Sequence, residues 1–209
     1  MKSVTALVSE YFSLLTSISA VYLFTFGKDF SNPQHIGTIG KGYVGNNDLD
    51  LSDLINNDRA WRVALDGDGD RLALSQYRAT YGGVDSGAVY LITFTDSNGN
   101  ASTDFENPAH VGTVGFGYND TTTKDVDMTA YLGDNDQFGG HLGLTKDGKI
   151  LAVGAQNDDG DEDGVDNGGA VYLIEFDDSN FTGGELRARI GNGYSGDRDY
   201  DTSSISGWK

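Results

Sequence analysis

Three short segments recur along this chain of 209 residues, and no other feature of the sequence constrains the fold as strongly. The first segment begins at three places: AVYLFTF at Ala20, AVYLITF at Ala88 and AVYLIEF at Ala170. A second segment follows each copy: HIGTIGKGY from His35, HVGTVGFGY from His110 and LRARIGNGY from Leu186. A third precedes the two later copies: WRVALDGDGDRLAL from Trp61 and GHLGLTKDGKILAV from Gly140. The chain is therefore built from repeated units that differ in the lengths of their loops.

A complete unit contains four short apolar segments, which are clearest at residues 141–145, 150–155, 170–176 and 186–190. The segments are rich in Val, Ile, Leu, Tyr and Phe and are separated by Gly and Asp, a pattern typical of strands joined by turns. Four strands repeated every few tens of residues is the sequence pattern of a β-propeller blade. We therefore predict an all-β fold, a partial β-propeller of about two and a half four-stranded antiparallel blades.

The predicted propeller fragment covers residues 20–209. It contains the last two strands of one blade at about 20–40, complete blades at about 60–115 and 138–191, and a tail, 192–209, that begins a further unit. A closed propeller needs about four to eight blades. Because an open array leaves strand edges unpaired, it invites association. We therefore expect further blades or self-association to close the ring.

Residues 1–19 allow two interpretations, a remnant of a signal peptide or the truncated edge of a domain. The apolar run from Val4 to Phe26 has Lys2 as its only positive flank, and Glu10 interrupts it. A charge at that place is costly in a membrane span, and the end of the run belongs to the repeat. We therefore predict no membrane insertion of the propeller.

The formal net charge is −18, from 14 Lys and Arg against 32 Asp and Glu. Nucleic-acid binding requires a basic surface that neutralises phosphates, so this charge excludes nucleic acid as a partner. The sequence contains no cysteine, which excludes disulfides and thiolate metal sites. Cationic partners, including metal ions, are compatible with the charge.

The acidic residues are concentrated in loops that an antiparallel blade places at one end of its strands. The densest stretch is 157–167, where Asp159, Asp161 and Asp163 alternate along the chain and Asp166 follows. Several oxygens that converge within one turn are what calcium requires, so these four residues are candidate ligands. Asp158 and Asn167 are further candidates from the same stretch. The alternative is a solvated acidic loop without an ion, since the bidentate Glu of a standard calcium loop is missing.

Two pairs of aspartates recur in the loops that connect successive blades, Asp48 with Asp50 and Asp125 with Asp127. One interpretation is that they contact a ligand on the acidic loop face. The other is that they cap turns, a common role of Asp. The turn at 66–70 is interpreted as a hairpin without metal, because the matching turn at 145–149 carries Lys146 and Lys149 instead of a second and third carboxylate.

Catalytic signatures are sparse, and we predict that the chain is not an enzyme. It contains no nucleophile elbow, phosphate loop or histidine-rich metal signature. His35 and His110 hold equivalent places in the repeat, which explains both structurally. Carboxylate pairs suited to glycoside chemistry stay open as an alternative, because Asp is abundant and the sequence does not show their geometry.

The unit at 136–191 resembles an FG-GAP repeat, the blade unit of integrin α-type propellers and of many secreted bacterial proteins. The resemblance rests on Asp136-Gln137-Phe138-Gly139, Leu142-Gly143-Leu144, Leu151-Ala152-Val153-Gly154-Ala155-Gln156 and Gly169-Ala170-Val171-Tyr172-Leu173. The earlier unit departs from the family pattern, since Ala60-Trp61 stands where the family has Phe-Gly. The calcium loop that such blades carry between their first two strands is written D-x-D-x-D-G-x-x-D. Neither 66–70 nor 145–149 matches it.

The resemblance implies an extracellular or cell-surface module for binding or adhesion. Together with the acidic stretch at 157–167, it predicts stabilisation by calcium and contact with a protein or glycan ligand through the acidic loop face. Two alternatives are a propeller domain of a secreted lyase or hydrolase that acts on polysaccharide, and a purely structural repeat of a larger surface protein.

Overall fold

The computed structural model describes residues 4–10, 20–55, 61–119, 124–161 and 166–205. These residues form three separate sheets, and Lys28–Phe30 form a turn of 3-10 helix. The sheets follow one another along the chain, and none of them closes on itself. The predicted all-β fold with propeller-like blades is confirmed, and we refer to the three sheets as blades A, B and C.

Strands pair in sequence order within every blade. Blade A contains β1 (Val4–Glu10), β2 (Ala20–Phe26), β3 (Gln34–Gly40) and β4 (Leu49–Asp50). Blade B contains β5 (Trp61–Leu65), β6 (Arg71–Gln76), β7 (Ala88–Thr93), β8 (Ala109–Gly115) and β9 (Val126–Asp127). Blade C contains β10 (Phe138–Leu144), β11 (Ile150–Ala155), β12 (Ala170–Glu175), β13 (Glu185–Gly191) and β14 (Tyr200–Asp201). The last two long strands of each blade pair with each other, and this pairing shifts register at the same place in all three blades, next to Leu23, Leu91 and Leu173.

Each blade ends in a strand of two residues that the sequence pattern did not predict. β4, β9 and β14 run parallel to the long strand before them, whereas the long strands are antiparallel. In blade C, Tyr200–Asp201 return to pair with β13, as β4 and β9 do in blades A and B. Val4–Glu10 likewise add a strand to blade A, antiparallel to β2. Two-residue strands lack the alternating apolar pattern by which strands are predicted.

Blade B is buried on both faces. Because successive residues of a strand point to opposite sides, the two faces carry different residues of the same strands. The face toward blade A carries Leu72, Leu74, Tyr90 and Ile92, which pack with Val21, Leu23 and Ile39. The face toward blade C carries Ala73, Val89, Leu91 and Val114, which pack with Phe138, Leu151, Tyr172 and Ile174. The apolar core thus consists of two layers, one between each pair of neighbouring blades.

The contact between blades B and C is closest where β10 crosses the loop before β7. The Phe138 amide donates to the Ser86 carbonyl at 2.9 Å, and the Ser75 hydroxyl donates to the Gly139 carbonyl at 2.6 Å. Gly87 lies directly against this crossing with a φ of +92°. A Cβ atom at Gly87 would lie 2.0 Å from the Phe138 carbonyl oxygen. Only glycine allows the two backbones to approach this closely.

We expect Gly87→Ala to lower the free energy of unfolding by at least about 2 kcal/mol more than Gly169→Ala, because overpacking is added to backbone strain. Gly169 is the equivalent residue of blade C and is a matched control. Its φ is also positive, at +72°, but the nearest atom to an added Cβ would be the Gln156 carbonyl oxygen at 3.3 Å. Urea denaturation followed by tryptophan fluorescence measures both changes. Equal losses in the two variants would contradict this account of the junction.

Candidate ligand-binding face

Antiparallel pairing sends the connections between strands alternately to the two ends of the blades. One end, which we call the loop end, collects the long connections 41–48, 77–87, 116–125, 128–137, 156–169 and 192–199. The tight hairpin turns 66–70 and 145–149 lie together at the opposite end, where the Gly67 amide donates to the Lys146 carbonyl at 3.0 Å. Neighbouring loops also touch at the loop end, since the Val84 amide donates to Asp134 at 2.7 Å. The loop before β7 and the connection to blade C therefore form one acidic surface.

The paired aspartates of the connecting loops hydrogen-bond to backbone amides in the same way in each blade. The first member of each pair accepts a hydrogen bond from a backbone amide of the long strand beside it. Asp48 accepts from the Thr38 amide at 2.7 Å, Asp125 from the Thr113 amide at 2.7 Å and Asp199 from the Arg189 amide at 2.8 Å. The second member accepts a hydrogen bond from a glycine amide in the first turn of the loop. Asp50 accepts from the Gly42 amide at 2.7 Å, Asp127 from the Gly117 amide at 3.3 Å and Asp201 from the Gly193 amide at 3.1 Å. These bonds hold the short parallel strands in place.

All four predicted ligand-face residues, Asp48, Asp50, Asp125 and Asp127, lie at the loop end, and each has at least one carboxylate oxygen that accepts a backbone hydrogen bond. Asp48 accepts through both oxygens, the second from the Gly45 amide at 2.7 Å. Hydrogen bonds from Ser52 and from the Gly42 amide lower the pKa of Asp50. Burial alone would raise the pKa of Asp127, but bonds from Thr129 and Gly117 lower it. These contacts are those of turn caps. The third pair, Asp199 and Asp201, was missed by sequence analysis, although alignment on the preceding Gly-x-Gly-Tyr would have found it.

A polar pocket of about 330 Å³ opens at the loop end of blade C, between residues 129–136 and 158–161. Its polar lining includes Asp136, Asp158, Asp159, Asp161 and Arg189. The charged groups of the pocket come from two different loops and one strand. The pocket therefore exists only because the B–C connection packs against blade C.

Arg189 is the single basic residue in this lining, and it projects from β13. Its guanidinium forms ion pairs with Asp161 and Asp199, the latter at 2.6 Å. The guanidinium carbon also lies 4.3 Å from the ring centroid of Tyr194, a cation–π contact. Burial alone would lower the pKa of Arg189, but hydrogen bonds from its guanidinium to Asp199 and Asp161 raise it. Arg189 is thus a permanent positive charge that ties the 158–161 loop to the returning loop of blade C.

Asp158 lies beneath the pocket with its side chain almost fully buried. Its carboxylate accepts hydrogen bonds from the hydroxyls of Tyr172 and Tyr194 and from the Gly160 amide, the last at 2.9 Å. Burial, followed by the charge of Asp158, raises the pKa of Tyr172 well above its ordinary value. Burial also raises the pKa of Tyr194. Both phenols therefore stay protonated as donors, which is how the structure accommodates a buried carboxylate.

The candidate calcium ligands are only partly brought together. Asp159 accepts from the Asn167 amide at 2.6 Å, Asp161 pairs with Arg189, and Asp166 is exposed to solvent. Asp163 lies outside the described residues. Within the described ranges no group of three or more carboxylate or imidazole side chains is arranged to hold a metal ion. The described side chains of the 157–167 loop are thus arranged around an arginine and two tyrosines and do not by themselves fit a calcium ion.

Sequence analysis did not find Arg189 as a site residue. A signal was present, since Arg189 replaces Thr38 of blade A and Thr113 of blade B in the repeat. In those blades the threonine hydroxyl contacts a histidine ring instead, at 3.1 Å from His35 and 3.0 Å from His110. Burial lowers the pKa of His110 despite the charge of Asp125.

No protein-family model matches this chain, and no curated protein matches it. Among the residues that the structure describes, no helix is long and apolar enough to cross a membrane.

We expect Asp158→Ala to lower the free energy of unfolding by about 2 kcal/mol, because two buried phenols lose a charged acceptor. Asp159→Ala is the matched control in the same loop. It loses a single hydrogen bond from a backbone amide nearer the surface, and we expect it to lower the free energy of unfolding by less than about 1 kcal/mol. Urea denaturation at neutral pH measures both values. A smaller loss for Asp158→Ala than for Asp159→Ala would show that the tyrosine pair does not depend on this carboxylate.

Proposed function

We propose that this chain is part of an extracellular β-propeller of the FG-GAP type and serves as a binding or adhesion module. Its contact surface is the loop end. One observation carries the proposal: the long acidic loops of all three blades gather at this end and are pinned there by repeated hydrogen bonds from backbone amides to paired aspartates. Loops held on a rigid strand scaffold are the usual architecture of a recognition surface.

The charge of the loop end indicates the chemistry of the partner. Exposed carboxylates occur in loops of every blade: Asp53 in blade A, Asp134 in the B–C connection, and Asp166 and Asp197 in blade C. Such a surface favours cationic groups by electrostatic attraction, and carboxylates also accept hydrogen bonds from hydroxyls. A protein ligand with a basic patch, or a glycan, fits both properties.

The arrangement in the pocket supports binding over catalysis. A catalytic acid, base or nucleophile has to reach substrate with a free polar atom. Asp158 and Arg189 instead bond to neighbouring side chains of the same chain. A polysaccharide-active lyase or hydrolase and a purely structural repeat are the competing proposals, and the binding experiment below distinguishes them.

The test is a screen of the purified chain against glycan and matrix-protein arrays, followed by affinity measurement on each hit. We expect at least one ligand whose affinity falls about tenfold or more in Asp166→Lys, because the reversed charge repels a cationic partner. Asp68→Lys is the matched control, since Asp68 is an exposed aspartate in the hairpin turn at the opposite end. Turnover of a glycan hit would favour the enzymatic proposal. Absence of any ligand, or equal effects of the two variants, would contradict binding through the loop end.

Calcium is the cation that this proposal assigns to the complete 157–167 loop, including Asp163. We expect calcium to raise the melting temperature of the chain more than magnesium does at equal ionic strength, because calcium accepts more oxygen ligands in a less strict geometry. Asp166→Asn should reduce the difference. Equal shifts with the two ions would leave the loop as a solvated acidic turn held by Arg189.

A further inference from the structure

The outer face of blade C is open and apolar. Val171 and Ile190 on this face are 37% and 38% exposed, whereas the equivalent residues of blade B, Val89 and Val114, are completely buried beneath blade C. Val171 and Ile190 line a groove of about 600 Å³ together with Leu142 and Ala152. We call this surface the back face of blade C. It carries the residue types by which blade B binds blade C, and among the residues that the structure describes no further blade packs on it.

Blade A has an exposed apolar residue on its other face, the one that corresponds to the face of blade B that packs against blade A. Phe30 is 67% exposed, whereas its equivalents Phe105 and Phe181 are completely buried. All three phenylalanines share the same unusual backbone, with φ values of 58°, 57° and 61°. Each also packs its ring against a second phenylalanine at the end of the AVYL strand of its blade, with ring centroids 6.1 Å apart for Phe26, 5.0 Å for Phe94 and 5.0 Å for Phe176. Phe30 is therefore built for burial, and we call this surface the front face of blade A.

The two junctions inside the chain show what each open face binds. The back face of a blade carries the same residue types every time: Val21, Leu23 and Ile39 in blade A, Val89, Leu91 and Val114 in blade B, and Val171, Leu173 and Ile190 in blade C. The front face does so too: Tyr22, Phe24 and Phe26, then Tyr90, Ile92 and Phe94, then Tyr172, Ile174 and Phe176. At both internal junctions a back face packs against a front face. The open back face and the open front face are thus complementary.

We propose that the back face of blade C in one copy of this chain binds the front face of blade A in a second copy, head to tail. The contact continues the pattern of the internal A–B and B–C junctions. Two copies joined this way at both ends contribute three blades each, about six blades in all, which lies within the range of about four to eight that closes a propeller. This inference does not depend on the proposed ligand of the loop end.

Sedimentation velocity on the full chain, from about 1 to about 100 µM, tests the association. We expect wild type to pass from monomer to dimer over this range. Val171→Asp and Phe30→Asp should each shift the midpoint at least about tenfold upward, because each variant buries a charge in an apolar junction. Val44→Asp is the control, since Val44 is 83% exposed in a loop at the loop end, and it should dimerise like wild type. Far-ultraviolet circular dichroism and melting temperature show that each variant is folded.

Cross-linking tests the head-to-tail orientation. Because the chain has no cysteine, Phe30→Cys and Val171→Cys variants can be joined by a short bismaleimide only at the chosen faces. A mixture of the two, one of them enlarged by a tag, should yield mainly the mixed dimer. Preferential cross-linking of either variant to itself would overturn the proposal in favour of a symmetric contact. A wild type that stays monomeric at every concentration would also overturn it and leave a further blade of a longer chain, or another protein, as the occupant.

Discussion

Face-to-face packing of one apolar sheet on the next is the interaction on which the rest of this structure depends. Blade B shows it most fully, because residues that alternate along the same strands serve two different cores. Burying one large apolar side chain contributes about 1.5–3 kcal/mol, so each junction of many such residues is a main source of stability. Within the described ranges, blades A and C each pack against a single other blade and therefore lack half of this contribution.

The acidic loops can be long because that packing holds their ends. The connection after each long strand returns to form a short parallel strand, and an aspartate pair ties it to backbone amides. The negative charge of the chain is thus distributed between two roles. Some carboxylates support the loops, and others, such as Asp53 and Asp166, face solvent. In blade C the additional contacts of Arg189 and Asp158 stiffen the loop end further.

Much of the fold could be predicted, because strands such as Ala88–Thr93 and Ala170–Glu175 carry their own signal in alternating and β-branched apolar residues. The two-residue strands could not, since a stretch such as Tyr200–Asp201 has no periodicity and pairs only because of a distant partner. Only the acidic part of the candidate site could be predicted from the sequence. The acidic stretch around Asp159 and Asp161 is visible in sequence, whereas Arg189 lies 28 residues from Asp161 and joins it only after blade C has formed.

By itself the sequence determined the repeated unit, the all-β class and the acidity of the connecting loops, because each of these follows from local composition and spacing. Tertiary structure decided which carboxylates cap turns, which one lies buried under two tyrosines, and which apolar faces are left uncovered. The physical reason is that burial and hydrogen bonding depend on what packs from elsewhere in the chain. Phe30 and Phe105 have the same local sequence role and backbone, yet only the second has a neighbouring blade to cover it.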